Sequence, residues 1–296
     1  MNINSLLLSI VVLSTAMVSL LGCGNNQPEP KAFSFAFITD AHIKPDSMVV
    51  TAFNKAIDSI NNAGVDFVIS GGDQVYDVMR GNQAKSDSLF TLYKTLTSRI
   101  QVPVHNTVGN HELFGIYDES PEDSTHADYK YGMFARYFGD TYYAFDHKGW
   151  HFVVLNTLDV EGKRYIGRIG AEQLQWLKSD LAALSAETPI AVVVHLPLVS
   201  AMSQVYPKPG QATDGRPLVQ DRDSLLAAFE DYNLKLVLQG HLHWFEDLNI
   251  ENKTHFITGG SIAGRPSWRG TNHGPRGFLV FDVNGEDFEW RYVAYE

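Results

Sequence analysis

The chain has 296 residues, with 23 basic and 34 acidic side chains and a formal net charge of −11. Its 44% hydrophobic and 19% charged content is that of an ordinary globular protein, which excludes disorder, a collagen-like repeat and a coiled-coil rod. The acidic balance speaks against a nucleic-acid binder built on a broad basic surface, so no nucleic acid is implied as a partner.

Residues 1–22 contain no Asp, Glu, Lys or Arg, and 6–21 are apolar with scattered Ser and Thr. About 16 residues is short for a membrane span and fits the apolar core of a secretion signal. Leu20-Leu21-Gly22-Cys23 resembles the lipobox of bacterial lipoproteins. The resemblance implies cleavage before Cys23, lipidation of its sulfur, and a polar tether over 24–31. It places the protein in the bacterial cell envelope, lipid-anchored on the periplasmic or outer-membrane side. A plain secretory signal with a chance cysteine and a retained membrane anchor are the alternatives. The expected organisation is a signal over 1–22, lipidated Cys23 and tether over 23–31, and one α/β domain over 32–296.

Beyond the leader the pattern alternates strand and helix. Phe33–Thr39 reads as a buried strand. Asp46 or Ser47 caps a helix running to Ala63 and stopped by Gly64. Asp66–Ser70 is a second strand, about Gln83 to Ile100 a helix, and Val102–Val108 a strand beginning near Pro103. The acidic stretch from Glu112 to Lys130 reads as an exposed excursion. Thr141–Asp146 and Trp150–Asn156 form a hairpin around Lys148-Gly149. Ala171–Leu184 is an amphipathic helix and Pro189–Val194 a short strand. After the long segment Leu196–Asp221 come helix Asp223–Asp231 and strand Leu234–Gln239. Four further strands follow at Phe245–Ile250, His255–Thr258, Gly277–Val283 and Phe288–Val293.

Polar residues collect immediately after five of the buried strands. These are Asp40-Ala41-His42, Gly72-Asp73, Gly109-Asn110-His111-Glu112, His195 and Gly240-His241-Leu242-His243. In an open α/β sheet the C-terminal strand ends share one edge, where ligands bind. In D-x-H and H-x-H, residues two apart lie on one side of an extended segment, so each pair can hold one ion. An isolated buried carboxylate or imidazole would be costly unless paired or coordinated. The single cysteine, Cys23, excludes a thiolate cluster, so any metal must be held by His, Asp, Glu or Asn.

The ordered set D-x-H, G-D, G-N-H-E, a lone His and G-H-x-H resembles the calcineurin-like metallophosphoesterase superfamily. It covers Asp40 to His243. The resemblance implies an α/β fold, a four-layer sandwich of two mixed β-sheets flanked by helices. It implies two metals at the strand ends, one held by Asp40, His42, Asp73 and His243. The other would be held by Asp73, Asn110, His195 and His241, with Asp73 bridging. His111 would face the substrate as the catalytic residue. Nitrogen and carboxylate donors without sulfur suit manganese, iron or zinc. Two ions of about +4 against two carboxylates and a bridging hydroxide leave the centre positive by roughly one charge, which favours a phosphate ester. Two such ions can align a hydroxide for in-line attack on phosphorus. His111, if protonated, would stabilise the oxyanion or protonate the leaving oxygen.

Tyr76 stands three residues after Asp73, where protein Ser/Thr phosphatases have an acid. Purple acid phosphatases place an iron-ligating tyrosine there but lack a histidine at the position of His42. With His42 present, Tyr76 is expected to pack or hydrogen-bond beside the site, ligation being the alternative. Glu112 either orients a loop or His111, or faces solvent. Arg265 and Arg269, in a Gly-rich stretch beyond the histidine pair, are candidates for holding a substrate anion. Tyr206, Lys208 and Arg216 are candidates for the pocket wall. His105, His126, His147, His151, His255 and His273 fit no motif and read as structural or surface residues. Three functions compete: a phosphomonoester or phosphodiester hydrolase, a phosphate-binding envelope lipoprotein without turnover, and a structural lipoprotein with incidental histidines.

Overall fold

The computed structural model describes residues 32–205, 219–263 and 276–295. The leader with Cys23, and the segments carrying Arg265, Arg269, Tyr206, Lys208, Arg216 and His273, lie outside the described residues. In chain order the elements are β1 (Phe33–Ile38), α1 (Ser47–Asn62), β2 (Phe67–Ser70), α2 (Gln83–Thr97), β3 (Val104–Asn106), α3 (Gly132–Phe138), β4 (Tyr143–His147), β5 (Trp150–Val154), β6 (Leu158–Glu161) and β7 (Arg164–Gly167). They continue with α4 (Ala171–Leu181), β8 (Ile190–Val193), α5 (Met202–Val205), α6 (Arg222–Ala227), β9 (Leu234–Gln239), β10 (Glu246–Ile250), β11 (Thr254–Thr258), β12 (Gly277–Asn284) and β13 (Asp287–Ala294).

Two mixed sheets form. One runs β13-β12-β1-β2-β3, the other β10-β11-β9-β8-β5-β4, and β6-β7 is a separate ribbon. In the first, β1, β2 and β3 are parallel, and β12 joins β1 antiparallel. In the second, β5, β8, β9 and β11 are parallel, flanked by antiparallel β4 and β10.

Strand periodicity builds the layers. Phe33, Phe35 and Phe37 of β1 point to one side and join Phe67, Phe152, Val193, Leu238 and Phe281 in a core between the sheets. Ala36 and Ile38 point to the other side and meet Phe53, Ile57 and Phe90 of α1 and α2. Val192 and Val237 of the second sheet pack on Leu177, Leu181 and Leu225 of α4 and α6. The result is helix, sheet, sheet, helix. Within the inner core the Phe35 ring lies parallel to Phe67 at 5.3 Å and to Phe281 at 4.7 Å. Removing a ring so enclosed costs about 3–5 kcal/mol.

Local chemistry sets the element ends. Asp46 caps α1, its carboxylate accepting from the Met48 amide at 2.9 Å. The chain leaves that helix through Gly64 at φ +70°. Asn82 caps α2 by accepting from the Lys85 amide. Lys148 and Gly149 both take positive φ, as a tight two-residue hairpin turn requires.

Two readings of the sequence need correction. The stretch after Glu112 is not wholly an exposed excursion: Leu113, Phe114 and Ile116 are fully buried. Its acidic composition hides an apolar anchor: Leu113 and Ile116 join the core that holds Phe134 and Val108, and Phe114 the one that holds Phe90 and Met133. The D-x-H and H-x-H segments are not extended. Asp40, His42, His241 and His243 all have φ between +46° and +70°. The short helix α3 and the ribbon β6-β7 are additions to the expected elements.

Candidate metal centre

The five strands β1, β2, β3, β8 and β9 end on one rim, three from the first sheet and two from the second. The convergence therefore spans the sandwich, not the edge of a single sheet. Backbone bonds lace the rim together. Asp40 N donates to Gly72 O at 3.0 Å, His42 N to Asp73 O at 2.9 Å, and Gly240 N to His195 O at 3.0 Å. Two glycines permit the close approach. A Cβ on Gly109 would lie 2.1 Å from the Asp73 amide nitrogen. A Cβ on Gly72, whose φ is +98°, would lie 2.5 Å from His195 Nδ1.

All seven candidate ligands meet here. Asp40, His42, Asp73 and His243 form one cluster, and Asp73, His195 and His241 a second, each with donor atoms within 4.8 Å of one another. The D-x-H pair thus serves one cluster, whereas the H-x-H pair divides between both. In the first cluster His42 Nε2 and His243 Nε2 face each other at 2.9 Å, with Asp40 Oδ1 3.3 Å from His243 Nε2 and Asp73 Oδ2 3.6 Å from His42 Nε2. In the second, His195 Nε2 lies 3.3 Å from Asp73 Oδ1 and 3.1 Å from Asn110 Oδ1. His241 Nδ1 lies 2.8 Å from the same Asn110 oxygen. Asp73 turns one oxygen to each cluster.

The donor set fits cations. His195 Nδ1 donates to the Gly71 carbonyl at 2.8 Å. That bond leaves the lone pair of a neutral ring on Nε2, aimed at two oxygens that also carry lone pairs. Only a proton or a metal ion between them resolves the conflict. Accordingly, although burial opposes charging, the Asp73 carboxylate prevails and raises the His195 pKa to about 9. Burial pushes His42 and His241 down to about 3, so both rings are neutral. Burial works against ionising Asp40 and Asp73, but the surrounding imidazoles hold both below the usual carboxylate range. Neutral imidazole and ionised carboxylate are the states that bind metal.

The neighbours fix these groups. Asp40 Oδ2 accepts from the Thr39 hydroxyl at 2.7 Å, and its carboxylate also accepts from the His241 amide. Glu112 is fully buried and faces neither solvent nor the His111 ring. Its Oε2 accepts from the Asp73 and Gly109 amides at 2.9 and 2.8 Å, and its Oε1 from the Val75 amide at 3.0 Å. It ties the loop after β2 to the loop after β3. Gln239 similarly holds the segment after His195, accepting from Leu198 N at 2.7 Å and donating to Val199 O at 2.9 Å.

His111 borders the first cluster. Its ring centroid is 4.5 Å from that of His42, and its Nε2 is 4.0 Å from Asp73 Oδ2. Its Nδ1 accepts from the Asp77 amide at 2.9 Å, which places the ring proton on Nε2, toward the centre. Tyr76 is 41% exposed, edge-on to His42, with Lys44 Nζ 4.9 Å over its ring. Of the other histidines, those among the described residues lie elsewhere. His151 is held between Asp146 and Asp180, His255 by Asp247, and His105 stacks on Phe145 at 3.8 Å. No helix of the described residues is long and apolar enough to cross a membrane.

Sequence reasoning missed Tyr165 of β7, which stands edge-on to His241 with ring centroids 6.1 Å apart. It lies in a four-residue strand between charged neighbours and carries no motif.

Comparison with known proteins adds the family context. The pattern described as calcineurin-like phosphoesterase matches residues 33–245. The chain is 26% identical over 239 residues to purple acid phosphatase 22 of Arabidopsis thaliana, covering 76% of this chain and 49% of that one. It is 23% identical over 239 residues to a "probable cyclic nucleotide phosphodiesterase" of Fibrobacter succinogenes, covering 78% and 80%. It thus spans about half the length of the Arabidopsis relative. Among solved structures, a dimetal phosphatase from Danio rerio superposes with a TM-score of 0.61 at 17% identity, covering 89% of this chain and 99% of that one.

Proposed function

The chain belongs to the calcineurin-like phosphoesterase family, and from that premise we propose that it is a dinuclear metal-dependent hydrolase of phosphate esters. The observation that carries this reading is Asp73, whose two carboxylate oxygens face two different clusters of neutral and cationic imidazoles. Asp40, His42, Asp73 and His243 would hold one ion, and Asp73, Asn110, His195 and His241 the other. Manganese, iron or zinc suits these nitrogen and oxygen donors. Such ions supply Lewis acidity toward a phosphoryl oxygen and lower the pKa of bound water to the neutral range.

The chain's own residues do the rest. Asp73 and Asp40 bring two negative charges into a buried rim, and Glu112 and Gln239 keep the loops that carry the donors in register. His111 presents an Nε2–H to a developing charge on the substrate. Because its Nδ1 is occupied by the Asp77 amide, the ring acts first as a neutral hydrogen-bond donor, and the imidazolium form requires giving up that bond. Such a donor contributes about 10²–10³ in rate. The exposure of Tyr76 and its packing against His42 favour a place beside the site over iron ligation. A visible charge-transfer colour in the pure protein would reverse that assignment.

The test is a panel of phosphomonoesters and phosphodiesters offered to metal-loaded protein beginning at Gly24. Turnover that disappears on chelation and returns with metal is expected, and activity that survives exhaustive chelation overturns the reading. The panel also separates monoesterase from diesterase action. For the leader, we propose a lipid on Cys23 that holds the enzyme to the bacterial envelope. Cys23→Ser is expected to move the protein from the membrane fraction to the soluble one, and an unchanged fractionation would refute the anchor.

A further inference from the structure

Two polar walls flank the candidate metal centre, and only one contains a residue marked by the sequence. On the His42 side stands His111, with its proton on Nε2. On the His241 side stands Tyr165, whose ring is edge-on to the imidazole at an interplanar angle of 80°. Tyr165 is half-buried, and burial first, then Tyr117 and Asp73, keep its hydroxyl protonated by raising its pKa. That hydroxyl makes no hydrogen bond among the described residues. Its oxygen is reached by solvent rather than sealed off, so a ligand oxygen can take the place of water there.

The ribbon carrying Tyr165 is fastened to its surroundings. Lys163 pairs with Asp118 at 3.0 Å, and Asp159 of β6 takes Lys130 at 2.6 Å and Arg168 at 3.3 Å. Gly167 O accepts from Gln220 N at 2.9 Å. Tyr165 pairs with Val160 across the ribbon. The phenol is therefore presented at a fixed place beside the second cluster, as a donor needs to be if it is to act without reorganisation.

We propose that Tyr165 is a further substrate-contacting residue, its hydroxyl donating a hydrogen bond to a phosphoryl oxygen held over the His195–His241 half of the centre. This rests on the phosphoesterase reading above and supplies the counterpart of His111 on the opposite wall. One neutral donor then faces each half, and the phosphoryl group sits between them.

The test uses the metal-loaded protein from Gly24 and its Tyr165→Phe variant, which keeps the ring against His241 and deletes the donor. Four quantities are read: bound metal by elemental analysis, Tm by thermal unfolding, affinity for inorganic phosphate by calorimetry, and kcat/KM on an aryl phosphate. Phosphate affinity and kcat/KM are each expected to fall about tenfold, as for a lost hydrogen bond to a charged group, with metal content and Tm unchanged. Wild-type phosphate affinity in the variant overturns the proposal. Loss of metal from the variant also overturns it, because it makes Tyr165 a support for His241. If the wild-type protein binds phosphate with its metals yet hydrolyses no ester, the hydrolase reading fails while the phosphate arm still decides Tyr165. Should the variant not fold, the Cζ resonance of Tyr165 in the unaltered protein is followed on phosphate addition. A shift supports the contact and a stationary signal refutes it.

Discussion

The two halves of the candidate centre share Asp73 but are built differently. The first, Asp40, His42, Asp73 and His243, is wholly buried and has two carboxylates. The second offers Asp73 as its one carboxylate, joined by the neutral amide of Asn110, and its His241 is half-buried. Charge and enclosure both favour a cation more strongly in the first half. The second half has the more exposed imidazole, while each half holds one histidine whose pKa its aspartate raises against burial, His243 beside Asp40 and His195 beside Asp73. The difference teaches that a pair of ions bridged by one aspartate need not be an equal pair.

The severest way to break the comparison is at the shared residue. Asp73→Asn is expected to empty both halves and lower turnover by more than about 10³-fold, beyond the 10–100-fold typical of outer-shell partners. Elemental analysis beside an aryl phosphate assay reads both effects. Next comes a contrast between single sites. His42→Ala should leave less than one ion per chain under limiting metal, whereas Asn110→Ala should keep about one, and stepwise chelation of the wild type should release its ions in two stages. One indistinguishable stage would erase the asymmetry.

Glu112→Ala removes the acceptor of three buried backbone amides. Each unsatisfied amide costs about 1–3 kcal/mol, so a loss of about 3 kcal/mol or more is expected in denaturant unfolding. The smallest effect concerns pH. His195 in the metal-free protein has a pKa raised from 6.5 to about 9. Metal must displace that proton, and His243, also raised by Asp40, adds to the count, so calorimetry in buffers of different ionisation enthalpy should report at least about one proton released per chain near pH 7. Affinity of the second half should then climb with pH up to about 9. A raised folded pKa also stabilises the metal-free protein fully below 6.5, and this contribution fades as pH rises through about 9.

Much of this architecture was legible because the chain changes character abruptly at the strand ends. FSFAFI runs into Asp40, and LKLVLQ into Gly240-His241. Buried strands are readable from apolar runs, and chemistry placed at their ends stands out against them. The backbone of those ends was not readable. Alternation suggested extended D-x-H and H-x-H, but left-handed turns replace it, and residue type alone does not distinguish the two. Ribbon β6-β7 escaped notice because Asp159, Glu161, Lys163 and Arg164 break any apolar pattern. Tyr165 went with it. Conversely, acid-rich flanks concealed the buried Leu113, Phe114 and Ile116.

Five of the seven candidate ligands, Asp40, His42, Asp73, His241 and His243, stand at positive φ. Side chains other than glycine, asparagine, aspartate and histidine rarely settle in that region, and β-branched ones are outliers. The main chain therefore restricts what can be substituted there independently of any ion. An engineer wishing to retune metal preference by installing glutamate, glutamine or threonine at these points would meet resistance of about 1–2 kcal/mol per position before coordination chemistry is considered. Asn110 and His195, outside that set of positive-φ residues, are the places where the coordination sphere is open to redesign.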